Sequence, residues 1–181
     1  MAYPKLPEWP IIDPNTPPSG YLKVGSHIDK ESDNVPWEFF VSGKHLIIVR
    51  KSFSKIDDSD PGEWVTEQFE YPTAGARWFV ETIDRFFLHP DDPHAVPRGK
   101  FNVRDDVMGE TLGVTRGAQY GSILKGIPGY SLDNLNRFRH STLSVDDNKC
   151  QMFKMGDPWL FDDGLLDLFK DIAERHERGE F

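Results

Sequence analysis

A single cysteine, Cys150, stands in the 181 residues of the chain. One thiol cannot form an intramolecular disulfide, and it removes thiolate zinc clusters from consideration, as in a reducing compartment. Long apolar runs are missing too: nowhere do the roughly 18 apolar residues needed to span a bilayer follow one another. The N-terminus MAYPKLPEWPIIDPNTPPSGY lacks the basic start and apolar stretch of a secretion signal. The expected location is therefore cytoplasmic, with no membrane partner.

Positive charge is scarce. Lys and Arg number 21 against 30 Asp and Glu, a formal net charge of −9. The deficit is even, 14 acids against 9 bases up to Pro90 and 16 against 12 beyond it, so no basic lobe is hidden. Neutralising phosphates needs clustered Lys and Arg, so no nucleic-acid partner is expected. An acidic chain is better matched to a basic protein, because complementary charge speeds encounter.

Standard catalytic signatures are absent as well. There is no H-E-x-x-H pair for zinc, no G-x-S-x-G elbow, no G-x-G-x-x-G turn and no loop ending in Gly-Lys-Ser/Thr. No cofactor is expected, and no catalytic residue is assigned.

What is present is proline, aromatics, and strands and helices that come in runs rather than in strict alternation. Residues 1–20 carry Pro4, Pro7, Pro10, Pro14, Pro17 and Pro18 among Tyr3, Leu6, Trp9, Ile11 and Ile12. Proline fixes φ and removes backbone donors, which predicts an extended, polyproline-like arm lying along its own domain, residues 21–181. EFFV and HLIIVRKSF flank Ser42-Gly43-Lys44 and read as an antiparallel hairpin, with Ile47-Ile48-Val49 covered on both faces. EWVTEQFEY reads as a third strand.

Thr73 is positioned to cap a helix in which Ala76, Phe79, Ile83, Phe86 and Phe87 form one stripe. ETLGVTRGAQYGSILKGIPGY suggests two strands. Ser131 followed by LDNLNRFRH suggests a short helix, KCQMFKM a strand, GDPW a turn, and DDGLLDLFKDIAERHERG a last amphipathic helix with acids first and bases last. The expected fold is α+β: a mainly antiparallel sheet packed by two amphipathic helices, plus a short third helix and the arm. Strands followed by a helix occur twice, over 38–87 and 110–178.

Two acidic stretches draw attention. In FFLHPDDPHAVPRGKF, His89, Asp91 and His94 are candidate metal ligands. Pro90 and Pro93 bar a shared helical face, so a helix ending near Leu88, with His89 in its last turn, is the simpler reading. DDSDPGEW gathers Asp57, Asp58, Asp60 and Glu63 but lacks the later ligands of a calcium loop, and it reads as an acidic turn. Asp147-x-Lys149 is the one acid-lysine pair of nuclease type.

The candidate partner-binding surface is Asp57, Asp58, Asp60, Glu63, Trp64, Asp91 and Asp92. Aromatics beside carboxylates suit an anchor-and-rim contact, and Trp9, Trp37, Trp64 and Trp159 all sit beside proline, acid or turn residues. The profile resembles that of bacterial immunity proteins and antitoxins, which neutralise a toxin by blocking its surface. That resemblance implies an inhibitor of a basic toxin domain, acting by protein-protein interaction rather than catalysis. A homodimer is the other assembly considered. The competing readings are a metal-dependent hydrolase or nuclease recruiting His89, Asp91, His94 or His140, and a phage or bacterial structural adaptor docking through its arm.

Overall fold

The computed structural model describes residues 3–30, 34–55, 59–120, 126–142 and 145–181; the side chains of residues 140 and 145–148 are not described. Four strands come first: β1 Leu22–Ile28, β2 Pro36–Ser42, β3 His45–Ser54 and β4 Glu63–Pro72. Helix α1, Gly75–Phe87, follows. A second set then runs β5 Asn102–Val107, β6 Glu110–Tyr120, β7 Ile127–His140 and β8 Val145–Gly156, and after a π-helical turn at Pro158–Asp162 helix α2 spans Leu165–Glu177. Each set forms its own antiparallel sheet, ordered β1-β2-β3-β4 and β5-β6-β7-β8. The expected α+β architecture is present, with two four-stranded sheets where one was anticipated. The element order repeats as four strands and a helix.

Local chemistry explains the tight turns. Ser42 pairs with His45 across two residues, with Gly43 at φ +58. Val107 pairs with Glu110 across Met108 and Gly109, both at positive φ, the mirror-image turn that suits strand twist. The apolar run in β3 is buried on both sides. Leu46 and Ile48 face the main core, while Ile47 and Val49 pack with Phe40 and Ile12 under Trp9 and Tyr21.

The main core draws on both sheets and both helices. It joins Phe39 and Tyr71 of the first sheet, Leu112, Leu132 and Phe153 of the second, Phe79 and Ile83 of α1, and Phe169 and Ile172 of α2. The helices meet through Phe79 and Phe169, whose rings lie 4.8 Å apart, and through two 2.7 Å bonds from Arg77 to Glu177. Among the described residues no helix is long and apolar enough to cross a membrane.

Several local expectations need correction. The stretch after Ser131 is not a helix but part of β7, and Ser131 is buried. Thr73 does not cap α1: Ala74 occupies that position, and the Thr73 hydroxyl bonds Lys44 O at 3.3 Å and His176 Nε2 at 3.1 Å. Helix α1 stops at Phe87 because Leu88 is extended, at ψ 151, which leaves His89 outside the last turn. Trp37 and Trp159 are core residues, 7% and 2% exposed.

Among the described residues the outer edge of β4 has no strand beside it along most of its length, yet its backbone groups at Thr66 and Glu70 are hydrogen-bonded. Thr66 N–H donates to Thr142 Oγ1 at 2.9 Å, and Thr142 N–H donates back to Thr66 O at 3.0 Å. Further along, Gln151 Oε1 accepts from Glu70 N–H at 2.8 Å and Asn134 Nδ2 donates to Glu70 O at 2.8 Å. Side-chain amides of the second sheet thus stand in for a fifth strand of the first.

The N-terminal segment lies across the same junction. Pro4 O accepts from Asn136 Nδ2 at 2.6 Å, Pro7 O from Arg137 at 2.6 Å and Pro10 O from Gln68 Nε2 at 3.2 Å. Between them Leu6 N–H donates to Asn136 O at 2.8 Å, and Ile12 N–H to Gln68 Oε1 at 3.0 Å.

Candidate functional site: a cleft between the sheets

The β7–β8 ladder shifts register on both sides of Phe138. Asn134 pairs with Gln151 but the next pair is Phe138 with Cys150, so β7 advances four residues while β8 moves one. The extra residues include Asn136 and Arg137, which turn toward the arm and toward Glu110. Beyond this bulge, a cleft of about 620 Å³ opens between the two sheets. That volume lies within the usual range for small-molecule sites, about 300–1,000 Å³.

Its floor is aromatic. Trp37 of β2, Phe69 of β4 and Phe153 of β8 are all buried, and each ring touches the other two at centroid distances of 5.7, 5.1 and 5.4 Å. Among the described residues the walls and rim carry Arg50, Arg139, Lys149 and Lys154 beside one carboxylate, Glu67, together with Cys150 and Met152. Arg139, Lys149 and Lys154 are exposed, whereas Arg50 and Glu67 are half-buried. The Arg50 guanidinium sits 4.5 Å from the centre of the Trp37 ring and donates to Glu67 Oε2 at 2.6 Å. A guanidinium stacked on indole and bonded to a carboxylate is held in a fixed pose. Burial pushes the Cys150 thiol up, and the nearby Asp133 charge adds to this. A raised thiol is a poor nucleophile at neutral pH.

Next to the cleft lies a buried polar cluster. Glu110 accepts from Arg137 at 3.0 and 2.7 Å and from Asn134 at 2.6 Å, and it meets His45 Nε2 at 2.8 Å. Burial alone would raise the Glu110 carboxyl, but bonds from His45, Arg137 and Asn134 outweigh it and hold the group down at about 2. The His45 ring packs on Trp9 at 5.1 Å. Glu70, also buried, accepts from Gln68 at 2.9 Å and from Gln151 at 2.5 Å. All these groups bond one another or the arm, so the cluster reads as structural.

The residues singled out from the sequence lie elsewhere. Asp57 and Asp58 fall outside the described residues. Asp60 Oδ1 accepts from Gly62 N–H at 2.9 Å in the turn before β4, and Glu63 and Trp64 open that strand, both exposed. Trp64 packs edge-on against Phe53 at 5.5 Å, with the two side chains 62% and 52% exposed.

In the proline loop, Asp92 Oδ1 accepts from His94 N–H at 2.8 Å, and Asp91 and His89 stand 3.4 Å apart at the surface. Among the described residues no group of three His, Cys, Asp or Glu could hold a metal ion. The side chains of His140 and Asp147 are not described.

Sequence reading missed the cleft because its cations come singly, from Arg50 to Lys154, and never as a run. One local signal was available: Lys149, Cys150, Met152, Phe153 and Lys154 all belong to the strand read from KCQMFKM. No protein-family model, no curated protein and no solved structure matches this chain.

Proposed function

We propose that this protein is a non-catalytic binding protein and that the cleft between its sheets is where it takes a small ligand. The observation that carries the reading is the concave, ring-floored cavity of about 620 Å³ with polar groups converging on its rim. The raised Cys150 thiol favours binding over nucleophilic chemistry there.

The test uses N-phenyl-1-naphthylamine, a neutral dye that brightens in apolar surroundings. The wild type should bind it saturably, and Met152→Trp, which fills the cleft, should abolish binding while keeping the wild-type circular dichroism. Cys150→Trp serves as a second block should the first variant fail to fold. Equal binding in a folded, blocked variant, or none in the wild type, removes the reading.

A second reading rests on a different surface. Phe53 and Trp64 form an exposed aromatic pair beside Asp60 and Glu63, as an anchor for a basic protein would. On this reading the chain is an immunity protein or antitoxin that covers a basic toxin. Growth of cells producing such a toxin should be protected by the wild type and not by a Phe53→Ala/Trp64→Ala variant. Equal protection by both would remove the hairpin tip as the contact.

A further inference from the structure

Resting on the cleft reading, we propose that the ligand is a small organic anion with a flat apolar body, and that Glu67 is a built-in competitor for its anionic head. In a chain of net charge −9, the described residues lining this cavity include four cations and one carboxylate. That local reversal of sign favours an anion at the rim, and low-dielectric walls strengthen the attraction. The floor selects the other end of the ligand. Trp37, Phe69 and Phe153 present apolar ring surface, which suits a planar aromatic or unsaturated body.

Arg50 joins the two ends. Its guanidinium lies over Trp37 while its outer nitrogen holds Glu67 Oε2 at 2.6 Å. A carboxylate, sulfonate or phosphate entering the cleft can take the place of the Glu67 carboxylate on this fork, exchanging one ion pair for another. Glu67 then swings toward solvent, which its half-buried position permits. Glu67 also forms the isolated bridge to Ser141 that ties β4 to the end of β7, so head-group exchange takes place where the two sheets are joined.

The test compares 8-anilinonaphthalene-1-sulfonate with N-phenyl-1-naphthylamine, which shares its ring system and lacks the sulfonate. The wild type should bind the sulfonate at least ~10-fold more tightly at low salt, with the advantage shrinking as salt rises. Glu67→Gln should tighten sulfonate binding by roughly 3-fold or more, because the competing charge is gone, and leave the neutral dye unchanged. Arg50→Met should weaken the sulfonate by about 10-fold and keep the neutral dye within about 2-fold.

Neutral dye bound in the cleft with no sulfonate preference overturns the anion proposal and leaves the cleft reading standing. Sulfonate binding that ignores both variants places the dye elsewhere and overturns the proposal. Failure of both dyes to bind removes the two together.

Discussion

Glu110 and Arg137 meet as a two-point ion pair, Nε to Oε2 at 3.0 Å and a terminal nitrogen to Oε1 at 2.7 Å, with both side chains buried. Arg137 also carries Pro7 O at 2.6 Å, so one guanidinium ties the arm to the acid beneath it. Removing one partner of a buried pair strands the other, at about 3–5 kcal/mol. Glu110→Gln should lose stability of that order at pH 7 in urea denaturation.

The same pair sets an acid limit. The Glu110 carboxyl is held at about 2 against an ordinary 4.5, a depression worth about 3 kcal/mol in the ionised state. A depressed acid stabilises the fold above its unfolded pKa, and the gain fades as pH falls through the folded one. Wild-type stability should therefore decline between about pH 5 and pH 2, and the Glu110→Gln curve should be flatter there. Parallel curves for the two proteins would contradict the assignment.

Asp133 behaves in the opposite sense. It is buried on β7, its Oδ2 accepts from Thr115 Oγ1 at 3.2 Å, and its Oδ1 has no hydrogen-bond partner among the described residues. Burial raises its carboxyl, with Ser131 and Thr115 opposing. A raised acid favours the fold while protonated and costs stability as pH rises through the folded pKa. Asp133→Asn should raise the melting temperature at pH 7 and change little at pH 3. An equal shift at both pH values would show that packing, not charge, is responsible.

Gln151 replaces a strand along the edge of β4. Gln151→Met keeps the bulk and removes the bonds to Glu70 N–H and to the Glu70 carboxylate. An orphaned buried group costs about 1–3 kcal/mol. Trp64→Ala, at an exposed position, should stay within about 0.5 kcal/mol, and matched denaturation curves separate the two.

Gly129 sits on β7 opposite Gly156 of β8, with no room for a side chain. A Cβ there would lie 2.1 Å from Met155 O and 2.9 Å from Gly156 Cα, both backbone atoms that cannot step aside. Gly129→Ala should cost about 2 kcal/mol or more and break the Gly129–Gly156 pairing, visible as faster amide exchange at the end of β8.

Much of the fold was legible because it rests on short-range pattern. The β2–β3 hairpin, β4, β8 and both long helices carry apolar stripes that match their period. β1 and β5 escaped notice since each buries few side chains: Val24 is the one buried apolar residue on β1 facing the main core, and β5 has Val103 and Val107.

The stretch after Ser131 misleads for a physical reason. Leu132, Leu135 and Phe138 stand at helical spacing, but the bulge inserts residues into a strand and shifts its period. Asn134, Asn136 and Arg137 are then buried by what they bond: the β4 edge, the arm and Glu110. No local signal announces such partners. The cleft was hidden in the same way, since its aromatic floor and cationic rim assemble only when two sheets meet.

The arm carries a consequence of its own. Pro4, Pro7 and Pro10 recur every third residue, the period of a polyproline helix, and all three carbonyls are acceptors for side chains of the sheets. The residue type without a donor has been set where only an acceptor is needed. Such a segment is stiff before it docks, so it gives up little freedom on docking. In effect the chain supplies its own proline-rich ligand, laid on a seat of two amides and a guanidinium.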